Sequence, residues 1–317
     1  MHTSPALRIT GLTRSFRGKR AVDGIDLRVE RGEIMGFLGP NGAGKTTVMN
    51  MVMGLIRPDG GEIELLGVRG GAKHKDVRLK VGYLQEKPRI YPEMSARAYL
   101  EFFAGLYGVP EPARRVATVI ERVGLTAAAE RAVGTYSRGM QQRACLARVM
   151  LHEPEFLLLD EPALGLDPSG VAEMRDILRE MRAGGATLFF SSHQLAEMER
   201  ICDRVAFMKD GRVVASGTPA DLVPASGLPT RFQVELHEPV GPKLEAIRGL
   251  AAIAEARETS RHRIEVALAA ENLETREART LLARALTGLG LTVLSVDSAQ
   301  PSLEDLFLRL AGRSTRH

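Results

Sequence analysis

The sequence predicts an α/β fold built on a parallel sheet covered on both faces, followed by a second, smaller α+β domain. Strands alternate with helices through most of the chain, the pattern of a parallel sheet with crossover helices. Several of those strands, at 34–38, 156–159 and 187–190, are unbroken apolar runs, as expected for strands buried on both faces. At 317 residues the chain also exceeds the usual size of one domain. The stretch VPASGLPT at 223–230 is rich in Pro, Gly and Ser and separates two different patterns.

The elements follow in order. LRITGLTRSF and IDLRVERGE alternate as short strands, and the run at 34–38 leads directly into GPNGAGKTT. Residues 46–55 are apolar and Met-rich without breakers and predict a helix, with further helices at 96–107 and 112–123. FLLLD is a strand, 171–182 a helix, ATLFFSS a strand and 194–202 a helix. RVAFMKDGRVVASG reads as a hairpin turning at Asp210-Gly211. Beyond the linker come a strand (RFQVEL), a helix near 242–249, a strand at 261–268, a helix at 272–289, a strand at 291–296 and a last helix in PSLEDLFLRLAG. The expected organisation is a first domain at 1–222, a linker at 223–230 and an accessory α+β domain of ferredoxin-like type at 231–317.

Composition narrows the function classes. Apolar residues make up 44% and charged residues 26%, ordinary for a globular chain. The net charge of +4 is small for this length and gives no argument for nucleic acid. Two cysteines are too few for a disulfide framework and read as buried thiols in a reducing compartment. The start, MHTSPALRIT, has no basic-then-apolar leader pattern, and no stretch reaches the length of a membrane span. A cytoplasmic chain is expected, peripheral to a membrane through a partner.

The segment from Gly39 to Thr46 fits G-x-x-x-x-G-K-[ST] and sits after an apolar strand and before a helix, the context in which this motif cradles phosphates. Glycines let backbone N–H groups wrap a phosphate, and the helix N-terminus adds positive potential. Lys45 can reach β- and γ-phosphates, and Thr46 can offer its hydroxyl to Mg²⁺. The strand FLLLD ends in the carboxylates Asp160 and Glu161, at the sheet edge where open α/β folds bind ligands. Side-chain alternation separates them: Asp160 for the metal, Glu161 to position and polarise a water.

With these two motifs in place, further segments follow in a characteristic order: Gln85 in YLQE, YSRGMQQR at 136–143, LLLDEP at 157–162, GLDP at 165–168 and SSH at 191–193. Over residues 6 to about 221 the chain resembles the ATP-binding subunits of ABC transporters. That resemblance implies a P-loop NTPase domain with an antiparallel β subdomain and a helical subdomain at about 88–150. It implies ATP and Mg²⁺ as ligands, with Gly39, Pro40, Asn41, Gly42, Ala43, Gly44, Lys45, Thr46 and Thr47 around the phosphates. Phe16 looks like the aromatic that stacks on adenine, with Val22 beneath it. Gln85 looks like the residue that touches metal and water, His193 like the switch histidine on the γ-phosphate, and Asp167 like a residue that communicates across a dimer.

Ser137, Arg138, Gly139, Met140 and Gln141 depart from the common SGGQ form of the family, because Arg138 replaces its first glycine and Met140 precedes the Gln. The serine hydroxyl, a glycine and the helix start remain, so the site reads as competent to complete the ATP site of an opposite subunit. Each motif occurs once, so the resemblance implies a homodimer, or a heterodimer with a similar ATPase subunit. It also implies a separate transmembrane permease, whose helix would dock on the apolar, aromatic stretch after Gln85, and export as the direction. The tail resembles the C-terminal extension of subunits that accompany ABC-2-like export permeases, and a dimer-stabilising or regulatory role is expected of it. Ribosomal and DNA-repair relatives carry tandem motors or a long coiled-coil insertion, and a GTPase would carry Asn-Lys-x-Asp; the sequence has none of these.

Overall fold

The alternating strands at the start of the chain form an antiparallel sheet of their own. β1 (Leu7–Phe16) and β2 (Lys19–Val29) make a hairpin with Leu7 opposite Val29. After β3 (Ile34–Leu38), β4 (Gly60–Leu65) pairs antiparallel with β1 and carries the short β5 (Val68–Arg69), giving the order β2-β1-β4-β5. The computed structural model describes residues 4–87, 90–192, 199–225, 231–269, 275–299 and 302–311.

The second sheet holds the apolar runs. Its strands are β3 with β6 (Val81–Leu84), β7 (Phe156–Asp160), β8 (Thr187–Ser191), β9 (Arg204–Lys209) and β10 (Arg212–Gly217), in the order β10-β9-β3-β8-β7-β6. All pairings are parallel except that of β9 with β10, the hairpin expected at Asp210-Gly211. Every residue of β3, β7 and β8 is buried, which is why these strands read as continuous apolar runs. Because the strands run parallel, the carboxyl ends of β3, β6, β7 and β8 share one edge.

Helices carry local start signals. α1 (Lys45–Val52) begins immediately after Gly44, and the short α2 (Lys75–Arg78) precedes β6. α3 (Ala96–Tyr107) is capped by Ser95, whose hydroxyl accepts from Ala98 N, and ends at Gly108 in a left-handed conformation. α4 (Pro112–Arg122) and α5 (Arg138–Met150) complete a helical region, and α6 (Pro168–Ala183) starts with Pro168 behind the cap Asp167. A core joins both sheets and α1, with Leu7, Ile9, Val22, Phe37, Val48, Leu158 and Phe189 all at 2% exposure or less.

The chain divides into two compact units, Met1–Leu222 with Leu310–His317 and Val223–Arg309. The helix α7 (Pro219–Ala225) runs three residues into the stretch read as linker, started by Thr218, whose hydroxyl accepts from Asp221 N at 3.1 Å. Residues 226–230 lie outside the described ones. The second unit runs β11 (Arg231–Leu236), α8 (Leu244–Arg248), β12 (Ile253–Ser260), β13 (Arg263–Leu268), α9 (Thr275–Gly288), β14 (Val293–Ala299) and α10 (Leu303–Ala311) as far as Arg309. Its sheet order is β12-β13-β11-β14 with every neighbour antiparallel, the arrangement of a ferredoxin-like fold. β12 is a strand the sequence pattern does not announce: in IAEARETS only Ile253 and Ala256 are buried, so the edge strand lacks an apolar run.

Candidate active site

Parallel strands bring residues far apart in sequence to one edge of the second sheet. β3 delivers the glycine-rich loop, β7 delivers Asp160 and Glu161, and β8 delivers Ser191 from between them. Together they border an open cleft of about 550 Å³ lined by Asn41, Gly42, Gly44, Lys45, Thr46 and Thr47 of the loop and α1, with Asp160, Glu161, Ala21, Glu86 and Leu164.

The loop cannot carry side chains where it turns. A Cβ at Gly39 would lie 2.2 Å from the Met208 carbonyl oxygen, and one at Gly44 2.4 Å from that of Ala21. Gly44 also has φ +109°, which residues with a Cβ rarely adopt. Pro40 and Ala43 close the turn through Ala43 N donating to Pro40 O at 3.1 Å, and the Ala43 carbonyl accepts from Gly211 N of the β9–β10 hairpin, also at 3.1 Å.

Lys45 is 7% exposed, and its Nζ donates to Gly39 O at 2.7 Å, spanning the loop from within. Burial pushes its ammonium below the usual lysine range, opposed by the carboxylates of Glu161, Asp160 and Glu86. Asp160 is 1% exposed, and both its oxygens are held: Oδ2 accepts from Thr46 Oγ1 at 2.7 Å and Oδ1 from Ser191 Oγ at 2.6 Å. The same Ser191 hydroxyl accepts from Glu161 N at 3.0 Å. Glu161 itself takes a left-handed backbone, φ +52°, so the chain turns sharply just where the carboxylate meets the cleft. The Thr46 hydroxyl beside the Asp160 carboxylate is an all-oxygen donor pair, the ligand chemistry that suits Mg²⁺.

Phe16, Val22 and Gln85 are not among the residues that line this cleft. Phe16 is 40% exposed at the β1–β2 hairpin with the Arg14 guanidinium 4.8 Å from its ring centre. Val22 is wholly buried in the core and offers no surface to a base; alternation along β2 turns Ala21 to the cleft instead. Gln85 neighbours Tyr83, whose hydroxyl donates to Asn50 Oδ1 at 3.0 Å, and the next residue, Glu86, lines the cleft. His193 lies outside the described residues.

Ser137, Arg138, Gly139, Met140 and Gln141 do not line this chain's own cleft. Ser137 caps α5, its hydroxyl accepting from Met140 N at 3.3 Å, and Gln141 Nε2 donates to Val133 O at 3.3 Å. Arg138 packs on Gly165, where a Cβ would come within 2.8 Å of the arginine Cδ. Asp167 caps α6, its Oδ1 accepting from Gly170 N at 2.8 Å.

The ABC transporter family matches residues 22–164. The linearmycin resistance ATP-binding protein LnrL of Bacillus subtilis (strain 168) is 32% identical over 312 residues, covering 98% of this chain and 99% of that protein. The daunorubicin resistance ATP-binding protein DrrA3 of Streptomyces coeruleorubidus is 36% identical over 313 residues, covering 98% of this chain and 97% of its own. Among solved structures, the ATP-binding subunit of an ABC transporter aligns at a TM-score of 0.66 and 31% identity, covering 70% of this chain and 94% of that one. The two sequence likenesses run through both compact units, and the cleft holds the phosphate loop and the acids that such a subunit needs: the chain belongs to the ATP-binding, ATP-hydrolysing subunits of ABC transporters.

Proposed function

We propose that this subunit powers export through a separate transmembrane permease, and that two copies, or one copy and a similar subunit, close around two ATP molecules. The relatives are resistance proteins by name, which supports export of a toxic small molecule. The observation that carries the catalytic reading is the hydrogen-bonded chain Thr46–Asp160–Ser191–Glu161 along the cleft. The loop N–H groups and Lys45 bind the phosphates. Thr46 and Asp160 would hold Mg²⁺, which when bound neutralises charge on the phosphate oxygens. Glu161 orients a water and accepts its proton. The water oxygen bonds to the γ-phosphorus as the bond to the β-phosphate bridging oxygen breaks, leaving ADP and inorganic phosphate. Gln85 touches water or metal in this reading, and Glu86 beside it lines the cleft. Phe16 stacks on adenine, and His193 meets the γ-phosphate.

Ser137 and the exposed start of α5 face the partner's nucleotide in this reading, and Asp167 lies beside that contact. Tyr91, Phe102 and Leu106 leave an exposed apolar surface on the helical region, at 48%, 50% and 66% exposure. That surface supports docking of a permease helix and a position on the inner face of the membrane. The accessory domain read from the sequence at 231–317, with 223–230 as its linker, stabilises the pair or regulates it. The test is Glu161→Gln at saturating ATP, read by light scattering and phosphate release. A stable pair with turnover reduced on the order of a hundredfold or more is expected; wild-type turnover overturns the assignment of Glu161.

A further inference from the structure

Gln142 lies one residue past the segment assigned to the facing nucleotide, on the inward side of α5, and is 4% exposed. Its Nε2 donates to Pro162 O at 3.0 Å and lies 3.4 Å from Glu161 O. A buried side-chain amide aimed at main-chain carbonyls is a costly arrangement unless those bonds are made. Here they are made to the two residues that set the direction of the Glu161 carboxylate. Glu161 has φ +52°, a region disfavoured for any residue with a Cβ, so its backbone has to be held from outside. Ser191 holds it on the amide side, where Glu161 N donates at 3.0 Å. On the carbonyl side Leu164 N donates to Glu161 O at 3.1 Å, and Gln142 adds the bond that reaches across from a different helix. Pro162 has no N–H, so its carbonyl is the handle that a neighbour can grip.

We propose that Gln142 is a positioning residue for ATP hydrolysis: from α5 it clamps the Glu161–Pro162 main chain, so that the helix presenting Ser137 to the facing nucleotide also sets the aim of this chain's own general base. This rests on the reading of Glu161 as the base. Movement of α5 when ATP of the opposite subunit docks on Ser137 then reaches Glu161 through one side chain rather than through the distant sheet. The two ATP sites of a pair are thereby coupled in rate, while nucleotide affinity, set by the loop and Lys45, is left alone.

The experiment compares Gln142→Met, which keeps the volume and loses the donor, with Gln142→Asn, which keeps an amide and shortens its reach. Both are measured in the full chain with its permease, as kcat and KM for ATP, alone and combined with Glu161→Gln. In each single variant kcat is expected to fall between about tenfold and a hundredfold with KM changed by less than about twofold. In the Glu161→Gln background the same substitutions leave the residual rate unchanged, because no base is left to aim. Equal losses with and without Glu161, a loss carried in KM, or wild-type kcat in either folded variant overturns the proposal. Should Glu161→Gln alone retain wild-type turnover, it is the reading of Glu161 that fails, and that outcome is separate because it does not involve Gln142.

Discussion

Thr46 Oγ1 donates a 2.7 Å hydrogen bond to Asp160 Oδ2 although the two residues lie 114 apart in sequence. The bond fixes the start of α1, and with it the phosphate loop, to the end of β7. Ser191 reaches Asp160 from the strand between and passes the restraint on to the Glu161 amide. A carboxylate with both oxygens held in a buried site is preorganised, so little rearrangement is needed when substrate charge arrives.

Asp160→Asn removes that charge and leaves an amide nitrogen or oxygen facing hydroxyls that both donate to the aspartate now. Turnover is expected to fall on the order of a hundredfold or more, while metal-free nucleotide binding stays within about tenfold. Phosphate release and titration of a fluorescent ATP analogue with and without Mg²⁺ check this. Undiminished turnover would remove Asp160 from the site.

Gly44→Ala is expected to abolish nucleotide binding and to lower stability by about 1–3 kcal/mol. The added Cβ meets Ala21 O at 2.4 Å and Met208 Cε at 2.6 Å, and φ stands at +109°. The Ala21 contact is backbone and cannot yield. Thermal unfolding with and without ATP reads both effects, and an ATP-dependent rise in Tm equal to that of the wild type would show that the loop tolerates the side chain.

How much of this was legible in the sequence differs by element. β3, β7 and β8 read cleanly because burial on both faces demands unbroken apolar runs. β4, β6 and β12 did not: β6 has four residues, and β4 and β12 each bury only two, too few to establish a period. The loop and the acidic pair read well because their chemistry depends on residue type at fixed spacing. Which of Val22 and Ala21, or of Gln85 and Glu86, lines the cleft turns on the face a side chain takes, and a slip of one residue reverses that. Gln142 stayed hidden since nothing in the helix pattern distinguishes a buried amide with two carbonyl partners from a solvated one.

Lys45 gives a stability prediction with a definite sign. Burial depresses its folded pKa below the value of about 10.4 that an unfolded lysine has. The charged lysine therefore opposes folding of the nucleotide-free chain in full below the folded pKa. That opposition fades as pH rises from the folded value through the unfolded one. Bound triphosphate supplies countercharge and relieves the same penalty. Lys45→Met is expected to leave the nucleotide-free Tm at neutral pH equal to or above that of the wild type and to lose the rise in Tm on adding ATP. A nucleotide-free Tm well below the wild type would mean that the Nζ bonds to Gly39 O and Pro40 O outweigh the burial of the charge.

Gln85, expected to touch water and metal, and Glu86, which lines the cleft, make separate predictions. Gln85 neighbours Tyr83, which feels the charge of Asp160. Gln85→Ala removes the amide proposed to touch water and metal and should lower kcat by about tenfold or more. Glu86 lines the cleft and contributes to the negative field around Lys45. Glu86→Ala should lower kcat by about tenfold or more and shift the Mg²⁺ concentration needed for half-maximal rate. Glu86→Gln removes the charge while keeping reach and hydrogen-bonding, so it separates the two roles: recovery of kcat assigns Glu86 to holding water, and continued loss assigns it to the metal. Wild-type kcat in Gln85→Ala would remove Gln85 from that role, and a silent Glu86→Ala would remove Glu86 from the site.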